Sequence, residues 1–334
     1  MTLINKKFKL KNIELSSRIV MPPMATSKSN DLGEINQEIC DYYNEKSEGN
    51  YIGLIITEHS YISPEGKAGI GQVSISKDSD IEGLKKIVST IHKNGTKVIA
   101  QLNHAGSCAR YDVTGLKSLS ASSIKNPSPL ASKSDIPKEM NNDDIKKVIN
   151  DFTNAAIRAK KAGFDGVEIH SAHGYLLNQF YSPLTNKRTD KYNGNTLSGR
   201  IQLHLEIIKK IRKAVGEDYL VALRLGACDY ADGGSTIEDS VLASIEFENA
   251  GIDLLDISGG LYGYINPTNK EQGYFSNITE SIKKNITIPV ILTGGIKDIH
   301  VAEKLIEENK ADLIGVGRII LKDSNWAKNS LSLL

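Results

Sequence analysis

The segment His170-x-x-His173-x-Tyr175 puts two imidazoles and a phenol within six residues. Three chemistries compete for that grouping. Paired histidines can ligate a metal, but no carboxylate or thiolate stands at the spacing zinc requires, so no metal is expected. A histidine can also be a satisfied structural residue. The third reading is a pair of N–H donors for a substrate oxygen beside an acid. A phenol with a pKa of about 10 stays protonated at neutral pH and can protonate a strongly basic carbanion or enolate. A second constellation, Gly294-Gly295 with Gly317-Arg318, has the composition of a phosphate site. Glycines let backbone N–H groups approach the oxygens, and arginine adds a charge-assisted bond. Either dipeptide alone could be an ordinary turn, and the phosphate could belong to substrate or cofactor.

Both constellations need a scaffold that gathers distant segments. Eight apolar, β-branched runs stand at RIVMPPM (18–24), YIGLIITE (51–58), KVIAQLN (97–103), GVEIHS (166–171), YLVALRL (219–225), IDLLDIS (252–258), IPVILTGG (288–295) and ADLIGVG (311–317). Helical periodicity fills most intervals. In the clearest case Ile145, Val148, Ile149, Phe152, Ala155, Ala156 and Ala159 share one stripe, opened by the cap candidates Asn141 and Asn142. Strands buried on both faces and alternating with helices imply a parallel sheet with right-handed crossovers. Eight such units suit a closed α/β barrel, the (β/α)8 or TIM barrel, better than an open sheet with edges to protect. Phe8 to Leu15 reads as an N-terminal hairpin turning at Lys11-Asn12 and covering the bottom of the barrel. Residues 104–142 are too long for a simple connection and form an excursion after strand three.

In such a barrel the chemistry sits at the carboxyl ends of the strands. Those ends are polar here: Gln101 and Asn103-His104 after the third run, the histidine–tyrosine segment after the fourth, Arg224 in the fifth and Ser258-Gly259-Gly260 after the sixth. The glycine pairs follow the seventh and eighth, where a barrel phosphate site commonly lies.

The 334 residues are 40% hydrophobic and 24% charged, which excludes disorder, collagen and coiled coil as the main architecture. No linker divides them, so one domain over 1–334 is expected. With 41 Lys+Arg against 40 Asp+Glu, no global field attracts nucleic acid or anionic lipid, and KKFKLK reads as a solvated hairpin face. Cys40, Cys108 and Cys228 are too scattered for a C-x-x-C metal motif or a disulfide framework. The opening residues lack an apolar signal core, and a cytoplasmic protein is expected.

HSAHGYLLNQFYSPLTNKRTDKYNG (170–194) resembles the signature stretch of the Old Yellow Enzyme family of flavin oxidoreductases. The likeness extends to RIVMPPM (18–24), AQLNHAG (100–106), IPKEM (136–140), DYADGG (229–234) and the glycines after the last two strands, so it covers almost the whole chain in order. The resemblance implies a barrel holding FMN, reduced by NADH or NADPH and reoxidised by an activated alkene. It implies that Pro23, Met24 and Ala25 line the flavin, with His59 nearby, that Gln101 meets its pyrimidine side and that Arg224 faces the N1/C2 carbonyl region. Gly294, Gly295, Gly317 and Arg318 would hold the phosphate. His170 and His173 would bind the substrate carbonyl, with His170 also bordering the cofactor, and Tyr175 would donate the proton.

The chain departs from that pattern in places. Ala25 stands where many relatives carry Cys or Thr, His59 where small residues are common, and Ser27 near a position aromatic in some relatives. It ends at SLSLL without the tail by which some relatives reach a neighbouring subunit, and it has no cysteine cluster for an iron–sulfur centre. An ene-reductase is the leading expectation, acting on a small activated alkene, with no nucleic-acid or membrane partner and with homo-oligomerisation left open. The alternatives are a diaphorase or NADH oxidase passing electrons to quinones or oxygen, a non-redox lyase or isomerase binding a phosphorylated metabolite, and a flavin-binding protein without turnover.

Overall fold

Each of the eight apolar runs forms a strand in the computed structural model, which describes residues 2–334. The barrel strands are Ile19–Met21, Leu54–Ile56, Lys97–Asn103, Gly166–Ser171, Leu220–Gly226, Leu254–Ser258, Val290–Leu292 and Leu313–Gly315. All neighbours pair in parallel, and Ile314 beside Ile19 joins the eighth strand to the first, closing the ring. Closure leaves no edge for another chain to pair with.

Several strands are shorter than their apolar runs, for reasons of backbone chemistry. The first stops at Met21 because Pro22 and Pro23 have no N–H to give a ladder. The seventh stops at Leu292, ahead of Gly294 and Gly295, whose φ values of 131° and 70° carry the chain out of the sheet. The long helix Asn142–Ala162 is capped by the side chain of Asn141, which accepts from the amides of Asp143 and Asp144, while Asp144 returns a bond to Asn141. Of the two cap candidates Asn141 therefore does the capping, and Asn142 is the first helical residue.

The hairpin pairs Phe8–Leu10 with Ile13–Leu15 and turns at Lys11. Leu10 and Leu15 are buried with Val20, Leu54, Ile99, Leu220, Leu254, Ile291 and Leu313, so they plug the bottom of the barrel. The excursion after strand three carries the short α-helix Tyr111–Thr114, 3-10 turns at Gly106–Cys108 and Pro129–Ala131, and a two-residue parallel pairing of Leu119–Ser120 with Lys138–Glu139. Its Asn126 amide donates to Gly174 O at 3.0 Å and its Ser120 hydroxyl to Gln179 Oε1 at 2.9 Å. The excursion thus braces the turn that carries His173 and Tyr175. No helix among the described residues is long and apolar enough to cross a membrane.

Candidate active site

A cavity of about 1,130 Å³ opens at the carboxyl end of the barrel. Its wall includes Pro23, Met24 and Ala25 after strand one, His59 after strand two, Gln101 in strand three, His170, His173 and Tyr175 at strand four and Arg224 in strand five. Gly294, Gly295, Gly317 and Arg318 complete it. Every residue given a catalytic or cofactor role lies on this one surface, whereas the strand-end residues Asn103, His104 and Ser258 are buried away from it. A smaller polar cleft of about 220 Å³ beside Lys46 and Ser324 holds none of them.

His170 stands in register with Arg224 on the adjoining strand. The chain then turns sharply: His173 has φ 61° and Gly174 φ 76°. A left-handed non-glycine residue costs roughly 1–2 kcal/mol, strain of the kind that accumulates at functional sites. The turn brings His173 to 5.1 Å and Tyr175 to 5.2 Å from His170, ring centre to ring centre. Nε2 of His173 is 2.7 Å from the Ser258 hydroxyl at the end of strand six, and Nδ1 of His170 has no protein partner.

Burial holds both imidazoles well below the usual histidine range, with the Arg224 charge adding to it. They are neutral N–H donors at physiological pH. Burial first, then the neighbouring Cys108, pushes Tyr175 up, so it remains a phenol. Cys108 itself is buried, donates to Gly174 O at 3.2 Å and has a pKa pushed up by burial to about 12, which makes it an inert thiol.

Two fully buried acids, Glu168 and Asp256, lie beside Gln101 and Arg224 on the neighbouring strands. Arg224 Nε lies 3.1 Å from Asp256 Oδ2, near enough for an ion pair but out of line for a hydrogen bond. Glu168 accepts from Gln101 Nε2 at 2.8 Å and keeps its second oxygen unpaired. Burial raises both carboxyls, and Asp256 raises Glu168 further. With its amide nitrogen committed to Glu168, Gln101 presents its oxygen as an acceptor.

Gly294, Gly295 and Gly317 form a cradle. A Cβ on Gly294 or Gly295 would meet Tyr274 at 3.0 or 2.8 Å, and one on Gly317 would meet Met24 at 3.3 Å. Arg318 is exposed at the rim, its Nη2 3.4 Å from the Tyr274 hydroxyl.

Sequence reasoning missed several members of this site. Tyr274 packs against the glycine cradle, and Tyr264 sits 6.0 Å from His173 at the mouth. Gln72 bonds His59, while the buried acids Glu168 and Asp256 hold Gln101 and Arg224. The acids did leave a signal: a carboxylate inside an apolar run such as GVEIHS or LLDIS must pair or lose its charge. Tyr264, Tyr274 and Gln72 left none, because they arrive from loops.

A (β/α)8 barrel with a glycine cradle, a buried cation and neutral imidazoles converging on one cavity suits a phosphorylated, electron-rich ligand. The chain belongs to the NADH:flavin oxidoreductase / NADH oxidase family, which residues 4–331 match. A protein of Thermoanaerobacter brockii named NADH oxidase is 38% identical over 96% of this chain and 49% of its own length. One of Clostridium acetobutylicum named NADPH dehydrogenase is 36% identical over 99% of this chain and 95% of its own. A solved 2-naphthoyl-CoA reductase in complex with 2-naphthoyl-CoA superposes with TM-score 0.92 and 26% identity, over 99% of this chain and 52% of that one. The Old Yellow Enzyme homologue of Zymomonas mobilis shares the fold, with TM-score 0.87 and 23% identity over 100% of this chain and 93% of its own. The chain spans about half the length of the first of these relatives.

FMN is the cofactor that accompanies this family, and the site fits it. Without Cβ atoms at Gly294 and Gly295 the backbone can pass close to Tyr274 and leave its N–H groups open to a phosphate. A bound flavin could take positive charge from the Arg224 guanidinium and an acceptor from the Gln101 oxygen, both of which line the cavity.

Proposed function

We propose that the protein reduces the C=C bond of α,β-unsaturated carbonyl compounds, using FMN and either NADH or NADPH. The observation that carries this reading is the cluster at strand four: two neutral imidazoles and a protonated tyrosine with ring centres 5.1 and 5.2 Å apart. His170 and His173 bind the carbonyl oxygen and stabilise the negative charge that grows on it. Bound FMN supplies hydride to the β-carbon and takes two electrons from NAD(P)H. Tyr175 holds its proton until the α-carbon becomes basic and then delivers it; with FMN bound it would act from the other face of the substrate, and the two hydrogens would add anti. Arg224 faces the pyrimidine edge as a fixed cation and favours the electron-rich reduced ring. Pro23, Met24, Ala25 and His59 border the ring, Gln101 orients it, and Gly294, Gly295, Gly317 and Arg318 hold the phosphate of one FMN-binding domain.

A second reading keeps the cofactor and passes the electrons to quinones or oxygen; the name of the Thermoanaerobacter brockii relative, NADH oxidase, favours it. Anaerobic reduction by NAD(P)H followed by stopped-flow reoxidation with enals, enones, quinones and oxygen separates the two. Slow reoxidation by every alkene beside fast turnover with quinone or oxygen would replace the first reading with the second.

Arg318→Ala should release FMN without altering the chemistry of the flavin that stays. A charge-assisted bond contributes about 1.5–3 kcal/mol, or roughly ten- to a hundredfold in affinity. Full flavin retention through dialysis would move the phosphate site elsewhere.

Ala25→Thr or Ala25→Cys should raise the flavin potential. A hydroxyl or thiol beside the C4 carbonyl can donate a bond that stabilises the reduced ring, and a methyl group cannot. For a two-electron couple about 30 mV corresponds to 1.4 kcal/mol, so one ordinary bond predicts a shift of a few tens of millivolts. Potentiometry showing no shift in either variant would mean that Ala25 does not face the flavin.

A further inference from the structure

His59 is held in one tautomer by its surroundings. The amide nitrogens of Gln72 and Asn103 both lie 3.0 Å from its Nδ1. Gln72 cannot turn its amide over, because its Oε1 accepts from Ala68 N at 2.6 Å and its Nε2 also donates to His59 O at 3.0 Å. Nδ1 is therefore an acceptor, and the ring proton resides on Nε2. That atom has no partner within the protein among the described residues and is not sealed from solvent, while the half-buried ring forms part of the cavity wall. The ring stacks on Tyr175 at 5.5 Å and lies 6.3 Å from His170. The rings of His59, His170 and Tyr175 therefore stand at the corners of a near-equilateral triangle, so the His59 donor and the His170/His173 pair border the same pocket beside the phenol.

We propose that the Nε2–H of His59 is a specificity-determining donor that binds a second oxygen of the acceptor, selecting ene-1,4-dicarbonyl compounds over simple enones. This rests on the ene-reductase reading and refines it. In such a compound the two oxygens flank the double bond. One is bound by His170 and His173, the other by His59, with the alkene carbons beneath the tyrosine. Hydride adds to one alkene carbon and the Tyr175 proton to the other, giving the saturated 1,4-dicarbonyl while NAD(P)H is oxidised. An acceptor with a single oxygen forgoes the bond to the His59 N–H, and the difference of one hydrogen bond provides the discrimination.

N-methylmaleimide and N-methyl-3-pyrrolin-2-one share a ring and differ by one carbonyl. The ratio of their kcat/KM values should fall about tenfold in both His59→Ala and His59→Phe, the magnitude expected for one lost bond. Phenylalanine keeps the stack on Tyr175 and glutamine keeps a donor, so His59→Gln should recover part of the ratio. Equilibrium binding of the saturated analogues N-methylsuccinimide and N-methyl-2-pyrrolidinone should show the same preference without turnover. In the wild-type protein, ¹⁵N shifts should report the Nε2–H tautomer of His59. An Nδ1–H tautomer, or a ratio unchanged in all three variants, overturns the proposal. If neither unsaturated compound is turned over and neither analogue binds the wild-type holoenzyme, the ene-reductase reading fails and the proposal fails with it.

Discussion

Tyr175→Phe is expected to leave FMN binding and oxidation of NAD(P)H intact while slowing alkene reduction by about 10²- to 10⁴-fold, the usual contribution of a positioned general acid. The argument rests on protonation and place. Burial keeps the phenol protonated, and its ring is 5.2 Å from His170 and 5.5 Å from His59, so it overlooks the space between the donors. Phenylalanine preserves that packing and removes only the proton. Rapid-reaction traces should therefore separate a normal reductive phase from a slow oxidative one. Equal alkene turnover in the variant and the wild-type protein would remove Tyr175 from the chemistry.

Loss of the imidazole donors should cost more when both are removed. Each of His170→Ala and His173→Ala deletes a neutral N–H donor to the growing oxyanion, worth roughly 10²- to 10³-fold in rate by comparison with oxyanion holes. Both should also weaken the binding of phenols and carbonyl ligands, because two donors converge on one oxygen. The His173 effect includes release of the Ser258 hydroxyl, 2.7 Å from Nε2. The sign of the pH dependence follows from the lowered pKa values. Both rings are already neutral above their depressed values, so neither imidazole should contribute a binding step across about pH 5–8, where free histidine titrates. The buried carboxyls of Asp256 and Glu168, raised to about 6 and about 8, are the groups of the site that titrate there. A binding step near the ordinary histidine pKa that persists in Asp256→Asn would show that the rings are not desolvated. Loss of a bound metal from the double variant, with phenol binding retained, would instead support a metal site.

Much of this site was legible before the fold was known, because a parallel barrel sends every strand's carboxyl end to the same face. Gln101, His170, Arg224, Gly294 and Gly317 are far apart in sequence, yet each lies at or just past the end of an apolar run. Once eight such runs are recognised, their convergence follows from topology. The signature around His170 and Tyr175 added roles that spacing alone left open between a donor pair, a metal pair and structural histidines.

The amino-acid sequence by itself determined the strand–helix alternation, the hairpin that plugs the barrel, the capping of Asn142–Ala162 and the residues gathered at the barrel's mouth. These depend on local propensity and periodicity, which a chain carries in its own order. Only the tertiary structure decided that His59 is tautomer-locked by Gln72 and Asn103, that Glu168 turns the Gln101 amide, and that Tyr274 packs on the glycine cradle. It also decided that His173 adopts a left-handed backbone to bring its ring to Ser258. In strands buried on both faces no alternation marks which side chains point into the barrel. Hydrogen-bond partners from separate loops are set by distances that close only when the ring does.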